Sequence, residues 1–150
     1  SKIYPQPSVG DILISVYFDF NSDVVNKESM DKLRNVVESM AFNNLKAISV
    51  FGYADEFGTE KYNLDLSEKR AMAVAKALVE LGSEPTLYPE GKGRLKVPRE
   101  AFMEALRKKK EHSTGVGIPE NQQIPVALTF QEQTEVTRKA RRVDVVVRKK

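Results

Sequence analysis

The sequence contains no cysteine and a single histidine among its 150 residues. The first absence excludes disulfides, thiolate chemistry and cysteine zinc sites, and it is compatible with an oxidising compartment. The second confines any Ser-His-Asp triad to His112, which closes the charged run Lys108-Lys109-Lys110-Glu111-His112 and reads as a solvated surface residue. No acidic loop with calcium-ligand spacing is present, and no paired acids, nucleophile elbow or metal set accompanies the polar loops. The expectation is a binding protein without cofactor or metal, not an enzyme. Long apolar runs are missing too: the best, Ala71 to Val79, is interrupted by Lys76 and falls far short of the roughly 20 residues of a helical membrane span.

What is there fits one globular domain, with 41% hydrophobic and 30% charged residues. The net charge of +3 arises in clusters at Arg107 to Lys110, Arg138 to Arg142 and Arg148 to Lys150. These are neither interleaved with exposed aromatics nor carried by a reading motif, so no nucleic-acid partner is expected. Solvated surface, or loose attraction to an anionic polymer, accounts for them. The chain opens at Ser1 and runs through Tyr4-Pro5-Gln6-Pro7, which reads as a linker over residues 1–10 that follows a missing N-terminal anchor. Contact with a membrane is expected only through that anchor.

Periodicity outlines the elements. Ile12, Ile14, Val16 and Phe18 alternate as one face of a first strand. Asn26 suits the cap of a helix with its apolar stripe at Met30, Leu33, Val36, Val37 and Met40, ending near Asn43-Asn44. A second strand over about Ala47 to Tyr53 leads to Asp55. Ser67 is the expected N-cap of a second helix running to Leu81 and stopped by Gly82, which places Arg70 in its first turn at the rim. A short third strand begins at Thr86 to Tyr88. Pro98 suits the first turn of a third helix that turns Phe102, Ala105 and Leu106 inward, and Val143, Val145 and Val147 mark the last strand. The order β-α-β-α-β-α-β predicts an α+β sandwich with helices on one side of a mixed sheet. Between Gly93 and Arg141, Ile124, Val126, Leu128 and Phe130 alternate as an extra strand would, an exposed edge of which offers a route to a homodimer.

The run Gly52 to Ala71 holds most of the chemistry. Asp55 at a strand end and Arg70 on the following helix form an elbow that matches a zwitterion, carboxylate for an ammonium and forked guanidinium for a carboxylate. By itself, without the flanking motif, the pair reads more readily as an ion pair tethering the loop.

Four separated blocks extend the signal: Val16-Tyr17-Phe18-Asp19-Phe20-Asn21, Gly52-Tyr53-Ala54-Asp55 with Gly58, Asn63-x-x-Leu66-Ser67-x-x-Arg70-Ala71, and Arg141-Arg142-Val143. In order and spacing the chain resembles the OmpA-like peptidoglycan-binding domains of OmpA proteins, Pal lipoproteins and MotB-type flagellar stator proteins. The resemblance implies a wall-binding domain over 11–150, with an insertion at about 94–137, facing the periplasm. Its ligand would be the diaminopimelate of a peptidoglycan stem peptide, held by Asp55 and Arg70. Asn63 and Asn21 would support them at the rim, Ala54 stands where many members carry threonine, and Arg141 or Arg142 would reach the site although the usual preceding asparagine is Ala140. Loss of binding on Asp55→Ala or Arg70→Ala with the fold intact is the expected signature. The alternative is a degenerate domain of this kind that serves as a protein interaction module in an envelope motor or secretion assembly.

Overall fold

The computed structural model describes residues 10–113, 121 and 125–148. Strand β1 (Ile12–Tyr17) is followed by helices α1 (Lys27–Val37) and α2 (Met40–Asn43), then β2 (Ala47–Ala54), α3 (Glu60–Glu80), β3 (Thr86–Arg94), α4 (Arg99–Ser113), α5 (Phe130–Val136), a 3-10 turn at Arg138–Ala140 and β4 (Arg142–Val147). The strands form one mixed sheet in the order β1-β4-β2-β3. β4 runs antiparallel to both neighbours and β2 pairs parallel with β3. This is the expected α+β architecture, with two helices instead of one in the first and last crossovers.

The core lies between the sheet and α1 and α3. Val16, Ile48, Val50, Val143 and Val145 from the strands meet Leu33, Val37, Ala71, Val74 and Leu78 from the helices, all buried. Asn26 caps α1 as its sequence predicts, its side chain accepting from Ser29 N at 2.8 Å. The helix ends at Val37, and Met40 restarts a separate turn with 84% of its surface exposed, so Met40 does not continue the apolar stripe.

The largest departure concerns α3. Its cap is Thr59, whose hydroxyl accepts from Tyr62 N at 3.1 Å, and the helix starts two turns before Ser67. Ser67 is instead fully buried in mid-helix, where its hydroxyl donates to Leu64 O at 2.7 Å and accepts from Gly93 N at 2.9 Å. Glycines make this approach possible. A Cβ at Gly52 would lie 2.0 Å from Ser67 O, and one at Gly91 2.4 Å from the Glu68 side chain. The helix therefore lies flat on the ends of β2 and β3, and the stop at Gly82 holds, with φ at 93° and the Gly82 and Ser83 amides donating to Val79 O and Leu78 O.

β3 is longer than the sequence suggests, nine residues through Pro89, Gly91 and Gly93. It is an edge strand, where proline is tolerated. A second, smaller cluster of Val97, Ala101 and Ala140, with Leu95, Phe102 and Val136 against it, ties α4 and α5 to the rest. Among the described residues the extra strand expected before β4 is not formed: 125–129 take no regular structure and Phe130 opens a helix, while Ile124 lies outside them. The physical reason is the capping box, in which Thr129 accepts from Glu132 N at 3.1 Å and Glu132 accepts from Thr129 N at 2.9 Å. With no strand there, the route to a homodimer through its edge is withdrawn. Among the described residues, no helix is long and apolar enough to cross a membrane.

Candidate functional site

Three charged side chains converge beneath the loops that follow β1 and β2. Asp55 stands one residue past β2 and is 4% exposed; Arg70, from the middle of α3, and Arg141, just before β4, are 0% and 4% exposed. A carboxylate and two guanidiniums in the dry interior must be paired and hydrogen-bonded.

The way they are satisfied differs from the expected clamp. Asp55 is paired with Arg141, Oδ2 to Nη1 at 3.4 Å, and its Oδ1 accepts from Phe57 N at 3.2 Å. Arg70 commits its fork to backbone, with Nε donating to Ser22 O at 2.8 Å, Nη1 to Tyr53 O at 3.1 Å and Nη2 to Asp19 O at 3.2 Å. Its guanidinium also lies 5.3 Å from the Phe18 ring centre. Burial pulls the Arg70 pKa down to about 10; Asp55 opposes that shift and Arg141 adds to it, so the three charges share one field. Arg70 thus neighbours Asp55 electrostatically, while the direct ion pair belongs to Arg141. Its position in mid-helix, well inside the rim, follows from the early start of α3.

Arg141 is the hub of the cluster. Nε donates to Phe18 O at 3.0 Å, and Nη1 donates to Thr134 O at 2.6 Å and to Thr137 Oγ1 at 3.2 Å. Arg70 and Arg141 together hold the 18–22 loop through three carbonyls, Phe18, Asp19 and Ser22. At Asp19 it is the carbonyl, which also accepts from Ser22 N, that does this. Asn63 fixes the facing loop, its Nδ2 donating to Phe57 O at 2.8 Å from the first turn of α3, so it sits on the helix and not on the loop before it.

The remaining expected residues divide. Asn21 lies exposed at the rim with φ at 57°, the left-handed conformation that asparagine tolerates. Ala54 is fully buried, and its carbonyl accepts from Leu95 N at 2.8 Å. Arg142 is turned away from Asp55: its Nε lies 3.3 Å from Asp144 Oδ1 and its guanidinium 5.3 Å from the Tyr53 ring centre, on the opposite side of β4 from Val143. No group of three or more histidine and acidic side chains suited to a metal occurs among the described residues.

The OmpA family model matches residues 17–116, more than half of the chain. The chain belongs to the OmpA family. It is 35% identical over 97 residues to outer membrane protein A of Bordetella avium, covering 63% of this chain and 50% of that protein. To the peptidoglycan-associated lipoprotein of Buchnera aphidicola it is 32% identical over 79 residues, covering 53% of this chain and 39% of the relative. The chain therefore spans half or less of these relatives. Among solved structures, the peptidoglycan-associated lipoprotein of Burkholderia pseudomallei superposes with a TM-score of 0.57 at 27% identity over 88% of this chain and 87% of that one. The C-terminal domain of Helicobacter pylori MotB gives a TM-score of 0.57 at 20% identity over 92% and 86%, a likeness of fold.

Beside the charged cluster this OmpA domain carries a feature that the sequence reading passed over. Phe20, Phe57 and Phe130 meet edge to face with ring centres 5.2 to 6.1 Å apart. Phe57, an apolar residue inside the polar Asp55 to Thr59 loop, was the signal that could have revealed it. Thr134 and Thr137 were hidden with the misread helix α5.

Proposed function

We propose that this domain attaches an envelope protein to peptidoglycan by gripping the diaminopimelate of a stem peptide at Asp55, with Arg141 and Arg70 facing the same ligand. The observation that carries the reading is the state of Asp55. It is a buried carboxylate whose two contacts, at 3.2 and 3.4 Å, lie at or beyond the long end of the hydrogen-bond range. A carboxylate has about four acceptor directions. A ligand ammonium completes the set, and charge-assisted bonds of this kind contribute about 1.5–3 kcal/mol each.

Two guanidiniums face one carboxylate, so the site also attracts an anion. The end of diaminopimelate carries an amine and a carboxylate on one carbon, and satisfies both demands at once. Arg141 keeps Thr134 O and Thr137 Oγ1 as acceptors and faces the ligand carboxylate, while the ligand ammonium fills the open acceptor directions of Asp55. The peptidoglycan-associated relatives and the shared fold support this reading. It places the domain in the periplasm, over residues 11–150 with its insertion at about 94–137, joined through the linker at 1–10 to an anchor outside this chain.

The near-complete burial of Asp55 and Arg70 favours a second reading, an OmpA domain that no longer binds wall and serves as an interaction module. Co-sedimentation with purified sacculi separates the two. Wild-type protein sediments and Asp55→Asn, which keeps the shape of the side chain but removes its charge, stays in the supernatant. Wild-type protein that remains soluble with sacculi supports the second reading.

A further inference from the structure

The aromatic trio takes no part in the grip described above, and none of its rings belongs to either apolar cluster of the interior. Phe20 is 41% exposed and Phe130 54%, with Phe57 half-buried between them. Edge-to-face contact explains why the rings gather. It leaves unexplained why so much ring surface stays in water beside the charged site.

Each ring is wired to that site through its backbone. Phe57 N donates to Asp55 Oδ1 at 3.2 Å. Phe20 follows Asp19, whose carbonyl accepts from Arg70, and Phe130 opens α5, whose Thr134 carbonyl accepts from Arg141 at 2.6 Å. The trio is thus held in fixed relation to Asp55, although its members come from three distant parts of the sequence.

We infer that Phe20, Phe57 and Phe130 form a shelf for one face of a glycan sugar, the pyranose nearest the stem peptide held at Asp55; this rests on the wall-binding reading. Three properties select a sugar. The shelf is open and shallow, with ring centres 5.2 to 6.1 Å apart. A methyl group from the peptide covers part of one ring, whereas a pyranose chair, with the breadth of a phenyl ring, covers one ring face and reaches the neighbouring ring. The C–H groups on one pyranose face are weakly positive and suit the negative face of an aromatic ring. Reach agrees as well. Phe57 stands two residues beyond Asp55 in a bend, closer than the roughly 7 Å of two extended residues, and the tether from diaminopimelate to the first sugar, two residues and a short ether or about 10 Å, is long enough to cover that distance.

The test titrates the 150-residue chain calorimetrically with a diaminopimelate-type disaccharide tetrapeptide and with the same tetrapeptide freed of its sugars. The wild type binds the sugar-bearing form on the order of five- to tenfold more tightly, the scale of one or two aromatic contacts. Phe130→Ala removes that preference and leaves the affinity for free tetrapeptide unchanged; Phe130→Tyr retains it. Phe130 is exposed at the first residue of α5, so its truncation empties no core, and Phe20→Ala gives an independent second variant. Equal wild-type affinity for both ligands, or a sugar preference that survives both alanine variants, overturns the shelf while leaving the grip standing. Failure of the wild type to bind either ligand overturns the grip, and the shelf with it.

Discussion

The β2–α3 elbow and the α4–α5 segment carry similar numbers of charges and use them in opposite ways. In the elbow and the loops around it, Arg70, Arg141 and Asp55 are buried and hold backbone. In the segment, Arg107 pairs with Glu104 and Glu111 on the helix surface, all three exposed by 39% or more. Lys109 bridges to Glu132 at the joint between α4 and α5 with 28% and 40% of those side chains exposed. The same residue types therefore have different consequences. Charges of the first kind leave orphaned carbonyls and an uncompensated partner when removed, while those of the second kind are replaced by water.

Arg70→Ala breaks the comparison most sharply. It removes three donors to the carbonyls of Asp19, Ser22 and Tyr53, opens a cavity in a fully buried place and unties the loop after β1 from the end of β2. The expected loss is about 3–5 kcal/mol in urea unfolding, enough to unfold much of the protein. This revises the expectation drawn from sequence, in which Arg70→Ala loses ligand with the fold intact, and it makes Asp55→Asn the better probe of binding. An Arg70→Ala protein as stable as wild type would show that the guanidinium does not hold the loops.

Gly52→Ala comes next. Its new Cβ would meet Ser67 O at 2.0 Å, so α3 must lift from the sheet, at about 1–3 kcal/mol. The unfolding midpoint reads this directly, and an unchanged midpoint would mean that the helix slides without cost. Smaller again is Thr129→Ala, which removes the capping box of α5 for about 1 kcal/mol. That corresponds to a fall in Tm of about 3 °C for a chain of this size. Amide exchange should quicken in Phe130–Val136 and stay unchanged in α3; equal acceleration in both would show that the segment and the elbow are a single cooperative unit.

Where the chain's local chemistry is one-sided, its structure was legible in advance. The alternation of Ile14 to Phe18, the Asn26 cap, the Gly82 stop and the valines of β4 each have one consistent reading, and each is found, whereas a bulge between Ile12 and Ile14 pairs Ile12 with Val146 and takes it off that face. Local rules competed at Ser67 and at Thr129. Ser67 has a cap-forming hydroxyl but turns it to Leu64 O and Gly93 N inside a helix that Thr59 had already capped. The apolar alternation from Val126 to Phe130 suggested a strand, and the Thr129–Glu132 capping box decided for a helix. The site was legible in its residues more than in its pairings. Asp55, Arg70, Asn63 and Arg141 do gather, but the partner of Asp55 stands 86 positions along the chain, a distance over which spacing arguments say nothing. Burial of Arg70 was hidden for the same reason, since the acceptors that allow it come from a loop about 50 positions away.

In the proposed grip, one carboxylate and its two guanidinium neighbours read both charges of a diaminopimelate end. This grip is tested most directly by titrating the wild-type chain with a diaminopimelate stem peptide and with the same peptide amidated at the side-chain carboxylate. The amidated peptide should bind about tenfold or more weakly, the equivalent of one charge-assisted hydrogen bond. Equal affinity for the two peptides would contradict the account, because the guanidinium side of the site would then have no part in recognition.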